Sequence, residues 1–240
     1  GWHYEEIGMI GDGGLYAEMI RNRNFSESGT APGLNVKNGR YENIPQAEKA
    51  NHLPEILPEL HCWDVLGKGI SVRRVTLNES ERSYAMEVTR SLSETDSLCG
   101  VIKSGFFGMH TQKGCQYKLS VYISSECAQS SVSAGIATED GYVTTKAVLH
   151  NIPGEKKHYE VSLTALQTVD NGFFVLTPLQ EGSVTVFFVS LFPADTWDDG
   201  HSVFRKDIMQ NMLDFKPEFL RFPGGCIVHG VNVETMYHWK

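Results

Sequence analysis

The sequence predicts a mainly β protein: an antiparallel β-sandwich of jelly-roll type, flanked by short α/β pieces. Three observations carry this expectation. From about Cys62 to Phe192, short runs with period-two alternation recur, punctuated by Gly, Asp, Asn and Ser. Toward both ends the apolar period turns helical. Between the first end and the alternating region, residues 29–60 are rich in Pro, Asn and Gly and carry little periodicity, so they read as a long loop or surface strap.

In chain order, residues 1–28 read as a short extended piece, a glycine turn at Gly11-Asp12-Gly13-Gly14, and a helix over Leu15–Arg23 with Leu15, Met19 and Ile20 on one side. Ten strands follow: Trp63–Leu66, Val72–Leu77, Tyr84–Val88, Cys99–Phe107, Gln116–Ser124, Val132–Thr138, Lys146–Ile152, Lys157–Leu163, Gly172–Leu179 and Ser183–Leu191. In Tyr117-Lys118-Leu119-Ser120-Val121-Tyr122-Ile123 the odd positions are apolar, as a half-buried strand needs. About ten short strands at this spacing argue for a sandwich. Beyond Asp198 an apolar stripe of Phe204, Ile208, Met212 and Phe215 predicts a helix, ended by Lys216-Pro217. Phe219-Leu220-Arg221-Phe222 reads as a buried strand stopped by Pro223-Gly224-Gly225. Helix followed by short apolar strand is the grammar of an α/β barrel, present here as one unit.

Composition narrows the function classes. The net charge is -8, and such a surface repels phosphate backbones and anionic membranes, so neither nucleic acid nor membrane is an expected partner. No run of about 18 apolar residues occurs. The chain opens at Gly1-Trp2-His3 with no visible signal peptide, and localisation is not read from that start. The five cysteines (Cys62, Cys99, Cys115, Cys127 and Cys226) are odd in number and widely spaced, and the histidines show no metal-binding spacing. A disulfide framework, a metal site and a cofactor are therefore not expected. Gly11-Asp12-Gly13-Gly14 lacks the Lys-Ser/Thr of a phosphate loop and reads as a turn. A neutral sugar suits this surface as a ligand.

Three stretches carry a family resemblance. The first runs Tyr4-Glu5-Glu6-Ile7, Gly11 to Glu18, and Arg21-Asn22-Arg23-Asn24-Phe25. The second is Val189-Ser190-Leu191-Phe192-Pro193. The third is Phe204-Arg205-Lys206-Asp207, continuing from Lys216-Pro217 to Gly224-Gly225-Cys226. In this order and spacing they resemble the N-terminal part of family 51 α-L-arabinofuranosidases. Gly105-Phe106-Phe107-Gly108 and Lys113-Gly114 with Tyr117 fit the carbohydrate-binding-module-like domain inserted after the first barrel strand in one branch of that family. The resemblance divides the chain into 1–28, the first strand and helix of an incomplete (β/α)8 barrel; 29–192, the sandwich, with its core at about 62–192; and 193–240, a barrel helix and second strand. Gly8-Met9 stands where the family commonly has Asn-His, and His229-Gly230 where it often has Glu-Gly, which bears on substrate preference.

The resemblance implies a retaining hydrolase of terminal α-L-arabinofuranosyl groups on arabinan or arabinoxylan, exported in its parent protein. Such a mechanism needs two carboxyls about 5 Å apart. The family's acid/base and nucleophile glutamates follow its fourth and seventh barrel strands, and this chain reaches the second, so no catalytic residue is expected here. Glu5 matches a residue that binds the sugar hydroxyls; on pattern alone it is equally an exposed glutamate. Arg221 matches a barrel-mouth arginine that holds active-site carboxylates, and a charge in an apolar strand needs a partner. Cys226 matches a position that contacts the sugar, and stands level with an ordinary buried thiol. Trp63 and Phe106 read as core rather than sugar platforms, whereas Phe107 and Tyr142 are balanced between core and glycan stacking. The expected partners are arabinose-containing poly- or oligosaccharides, together with self-association through exposed barrel-facing residues. The alternative is a non-catalytic carbohydrate-binding or structural β-sandwich module.

Overall fold

The computed structural model describes residues 1–5, 11, 13–27, 36–37, 40–41, 60–91, 99–103, 108–127, 130–138, 140, 143–222 and 224–225. Two antiparallel sheets dominate it. One contains β4 (Trp63–Leu66), β7 (Gly100–Lys103), β8 (Met109–Thr111), β10 (Ser130–Ala137), β11 (Val143–Ile152) and β13 (Val169–Pro178). Its order is β11-β10-β13-β7-β4, with β8 also on β13. The other contains β5 (Ile70–Asn78), β6 (Ser83–Arg90), β9 (Gln116–Ser125), β12 (Lys157–Thr164) and β14 (Gly182–Pro193), in the order β12-β9-β14-β6-β5. The predicted antiparallel sandwich is therefore present, and each predicted strand has a counterpart. Residues 104–107, predicted as the end of the Cys99–Phe107 strand, lie outside the described residues.

Side-chain alternation explains the layering. In β9, Tyr117, Leu119, Val121, Ile123 and Ser125 are buried, while their neighbours face outward. The inward residues join Trp63, Met86, Val88, Ile136, Phe174, Leu176 and Val186 in one core. On β13 the odd and even positions separate. Phe174 and Leu176 enter that core, whereas Phe173 and Val175 join Ala137 in a second cluster with Leu66 and Val143 beside it. A strand buried on both faces reads as a continuous apolar run, and Gly172-Phe173-Phe174-Val175-Leu176 is such a run.

Strands approach closely at Gly135, paired with Lys146 on one side and Val175 on the other. A Cβ there would lie 2.1 Å from the Thr145 carbonyl oxygen and 2.7 Å from Lys146 Cα, both backbone atoms that cannot swing away. Gly135→Ala is therefore expected to push β10 and β11 apart at a cost of about 1–3 kcal/mol. A urea-unfolding midpoint equal to that of the parent would overturn this expectation.

The helix expected over Leu15–Arg23 does not form. Its backbone groups are used laterally instead. Tyr16 bridges to Phe204, the Ala17 N–H donates to the Val203 carbonyl, and the Arg205 N–H donates to that of Leu15. Further on, β14 pairs with β6 over Gly182–Val186, then carries a bulge before Phe188. Past that bulge, residues 19–23 lie along β14: the Met19 N–H donates to the Leu191 carbonyl and the Val189 N–H to that of Arg23. Asn22 and Phe25 sit at positive φ, 53° and 61°, which a continuing α-helix forbids.

Packing divides the chain into two units, Met19–Ala194 and Gly1–Glu18 with Asp195–Lys240. The first holds the sandwich and, within the strap region, a short hairpin of β2 (Val36–Lys37) and β3 (Arg40–Tyr41). The second holds β1 (Trp2–His3), α1 (Lys206–Asp214) and β15 (Leu220–Arg221). The helix predicted from the Phe204–Phe215 stripe is present as α1, but Phe204 and Phe215 are exposed and Ile208 and Met212 only half-buried. The Phe219–Phe222 strand was expected buried. Leu220 is instead 54% exposed, because among the described residues β15 pairs with β1 alone.

Candidate functional site

The site grows from the pairing of the two shortest strands of the Gly1–Glu18 and Asp195–Lys240 unit. β1 and β15 run parallel, Trp2 opposite Leu220 and His3 opposite Arg221. The Trp2 N–H donates to the Phe219 carbonyl at 2.8 Å and the Tyr4 N–H to the Arg221 carbonyl at 2.9 Å. Ring contacts brace the pair: Tyr4 lies against Phe222 with centroids 5.3 Å apart, and Trp2 meets the edge of Phe215 at 5.8 Å.

Both strands end at the same mouth. There the Glu5 carboxylate Oε1 accepts the Gly225 N–H at 3.0 Å. Gly224 makes the approach possible. Its φ is +141°, and a Cβ on it would lie 3.0–3.2 Å from the Cβ, Cγ and Cα of Glu5. Only glycine accepts both that backbone conformation and that neighbour. Glu5 is half-buried, so its carboxylate is held by the turn yet reachable by a ligand. Such a group accepts hydroxyl hydrogens, and one carboxylate can hold two sugar hydroxyls at once.

Glu5 and the Gly224-Gly225 turn come together. Arg221 lies on β15, opposite His3, with its side chain exposed; among the described residues it makes no ion pair. Cys226, Phe106, Phe107 and Tyr142 lie outside the described residues. Trp63 is core, fully buried between Phe25 and Phe174. At the start of α1, Arg205 hydrogen-bonds Asp207 and holds that carboxyl below its ordinary range. Asp195 raises Lys206 in the same way.

One grouping escaped the sequence reading. Glu27, His61 and Cys62, all half-buried in the sandwich unit, place their ligand atoms within 4.8 Å of one another. No spacing signal exists for a group assembled from segments 34 residues apart (61 minus 27), so only the fold reveals it.

The fold matches that of an arabinose-bound family 51 α-L-arabinofuranosidase with TM-score 0.77 at 20% identity, over 100% of this chain and 36% of that one. In sequence, α-L-arabinofuranosidases 1 and 2 of Arabidopsis thaliana are each 30% identical over 254 and 256 residues, covering 100% of this chain and 33% of theirs. An extracellular exo-α-L-arabinofuranosidase of Streptomyces chartreusis is 28% identical over 253 residues, 26% of its length. No protein-family model matches the chain. The chain resembles α-L-arabinofuranosidases over its whole length, in a match consistent with their N-terminal portion, and spans about a third of the length of the curated relatives it matches.

Proposed function

We propose that this chain is the sugar-positioning part of a retaining α-L-arabinofuranosidase acting on terminal, non-reducing arabinofuranosyl groups of arabinan- or arabinoxylan-type glycans. The observation that carries the reading is the Glu5 carboxylate seated on the Gly225 N–H where β1 and β15 end. In an α/β barrel, ligands bind at the C-terminal ends of the strands, which is where Glu5 stands relative to β1. In this reading Glu5 binds sugar hydroxyls, and Arg221 and Cys226 complete the pocket's edge. Phe107 and Tyr142 are the candidate glycan-stacking rings of the sandwich. The acid/base and nucleophile come from sequence outside these 240 residues. Phe215, Phe219, Leu220 and Phe222 are each more than half exposed and offer an apolar face for self-association.

A second reading, a glycan-binding or bracing module, is supported by the sandwich unit having its own continuous core. One assay separates the two for the 240-residue polypeptide and for a longer chain containing it. The polypeptide alone is expected to give no turnover of an aryl α-L-arabinofuranoside, because one carboxylate cannot supply both protonation and nucleophilic attack. The longer chain is expected to be active. Turnover by the purified polypeptide, persisting through further purification, would show that the catalytic pair lies within it. An inactive longer chain that still binds arabinan would favour the module.

A further inference from the structure

We propose that Glu27, His61 and Cys62 form a zinc site on the sandwich unit. The donor set decides the metal. A thiolate, an imidazole and one carboxylate suit borderline-soft Zn²⁺, whereas Ca²⁺ and Mg²⁺ take oxygen ligands. The geometry is close to what zinc needs. Zinc–ligand bonds of about 2.0–2.3 Å in a tetrahedron put ligand atoms roughly 3.3–3.8 Å apart. The three ligand atoms already lie within 4.8 Å of one another, so side-chain torsions of the half-buried residues close the gap. Three protein ligands leave the fourth position to water.

The scaffold beneath the three residues is tied together by one side chain. Asn22 Nδ2 donates to the Glu27 carbonyl at 3.0 Å and to the His61 carbonyl at 2.7 Å, while its Oδ1 accepts the Glu27 N–H at 2.9 Å. The Asn22 carbonyl in turn accepts Trp63 Nε1 at 3.0 Å, anchoring the arrangement to the core. Arg21 Nε and Nη2 both contact Oε2 of Glu27, at 3.1 and 3.0 Å, which orients the carboxylate as outer partners of metal ligands do. Asn22, Phe25 and Cys62 are non-glycine residues at positive φ, Cys62 at 70°. Backbone in that region costs about 1–3 kcal/mol per residue and persists where the surroundings over-determine it. A metal bond to Cys62 gives such strain a function. On binding, the Cys62 thiol proton passes to solvent and an S–Zn bond replaces the S–H bond, with no change in oxidation state. Thiolate and carboxylate together offset the two charges of the ion.

The test uses the whole 240-residue chain, stripped by chelator and kept reduced with a phosphine. Co²⁺ serves as the spectroscopic probe and Zn²⁺ as its competitor. The expected result is one equivalent of Co²⁺ with a thiolate-to-cobalt charge-transfer band, displaced by Zn²⁺ with an apparent Kd of about 1 µM or tighter. Cys62→Ser abolishes the band, and Cys62→Ser, His61→Ala and Glu27→Gln each weaken Zn²⁺ about ten-fold or more. Cys115→Ser and Cys127→Ser, at exposed thiols, leave binding unchanged. Circular dichroism of each metal-free variant confirms that loss of binding is not loss of fold. A missing band, a band that survives Cys62→Ser in a folded variant, or equal Zn²⁺ affinity across all five variants would overturn the site.

Discussion

Glu5→Gln, made in a longer, active chain containing this sequence, is expected to lower kcat/KM about 10- to 150-fold. A hydrogen bond to a charged group is worth roughly 1.5–3 kcal/mol, and about 1.4 kcal/mol corresponds to each factor of ten. Bonds to sugar hydroxyls that tighten in the transition state are a recognised part of glycoside hydrolysis. The substitution is informative because of how Glu5 is held. Its Oε1 accepts the Gly225 N–H, and the amide oxygen of Gln accepts the same hydrogen. If Glu5 served only to fasten the Gly224-Gly225 turn, Gln would replace it and kcat/KM would not change. Loss of activity with an intact fold therefore reports on the charge presented to substrate. Both limbs of the pH–rate profile should survive, since the proposed proton-transfer groups lie elsewhere. Disappearance of either limb would recast Glu5 as an acid or base.

Trp63→Ala is expected to cost the sandwich about 3–5 kcal/mol, the range for deleting a buried large aromatic. The ring is fully buried and lies between Phe25 at 5.5 Å and Phe174 at 6.3 Å. Its Nε1 also satisfies the Asn22 carbonyl. Trp63→Phe should lose less, about 0.5–1.5 kcal/mol from this bond, because the Asn22 carbonyl loses one of two donors and keeps the Phe25 N–H at 3.2 Å. Native domains are stable by only about 5–15 kcal/mol, so the alanine variant should unfold at a much lower urea concentration. A loss below about 1 kcal/mol would show that Trp63 does not fill this core. The Phe variant also bears on the zinc proposal, since the Asn22 carbonyl bonded to Trp63 anchors the side chain that holds Glu27 and His61.

The strand pattern was legible because β-structure writes itself locally. In β9 every second residue is buried, and the chain alternates accordingly. The predicted strands therefore appear within a few residues of their observed bounds. β8, only Met109–Thr111, was missed because three residues hold too little alternation to register. The Leu15–Arg23 segment misled for the opposite reason. Leu15, Met19 and Ile20 share a helical spacing, but the backbone groups at Ala17 and Met19 find distant carbonyls, and lateral pairing prevails over local propensity. The buried strand expected at Phe219–Phe222 failed on the same ground, because burial is conferred by neighbours, not by the strand itself.

The sites show the same division more sharply. Period, turn chemistry and residue size determined from the sequence alone that the chain builds an antiparallel sandwich with Trp63 in its core, and motif order pointed to Glu5 as a sugar ligand. Only the tertiary structure decided that Glu5 meets Gly225 across 220 residues of chain. It alone decided that Asn22 gathers Glu27 and His61 from separate segments with Cys62 beside them. The physical reason is one of range. Alternation and capping act over a few residues of covalent chain, whereas a carboxylate finds its N–H, and three ligands find one another, only after long loops have closed and the core has set their positions.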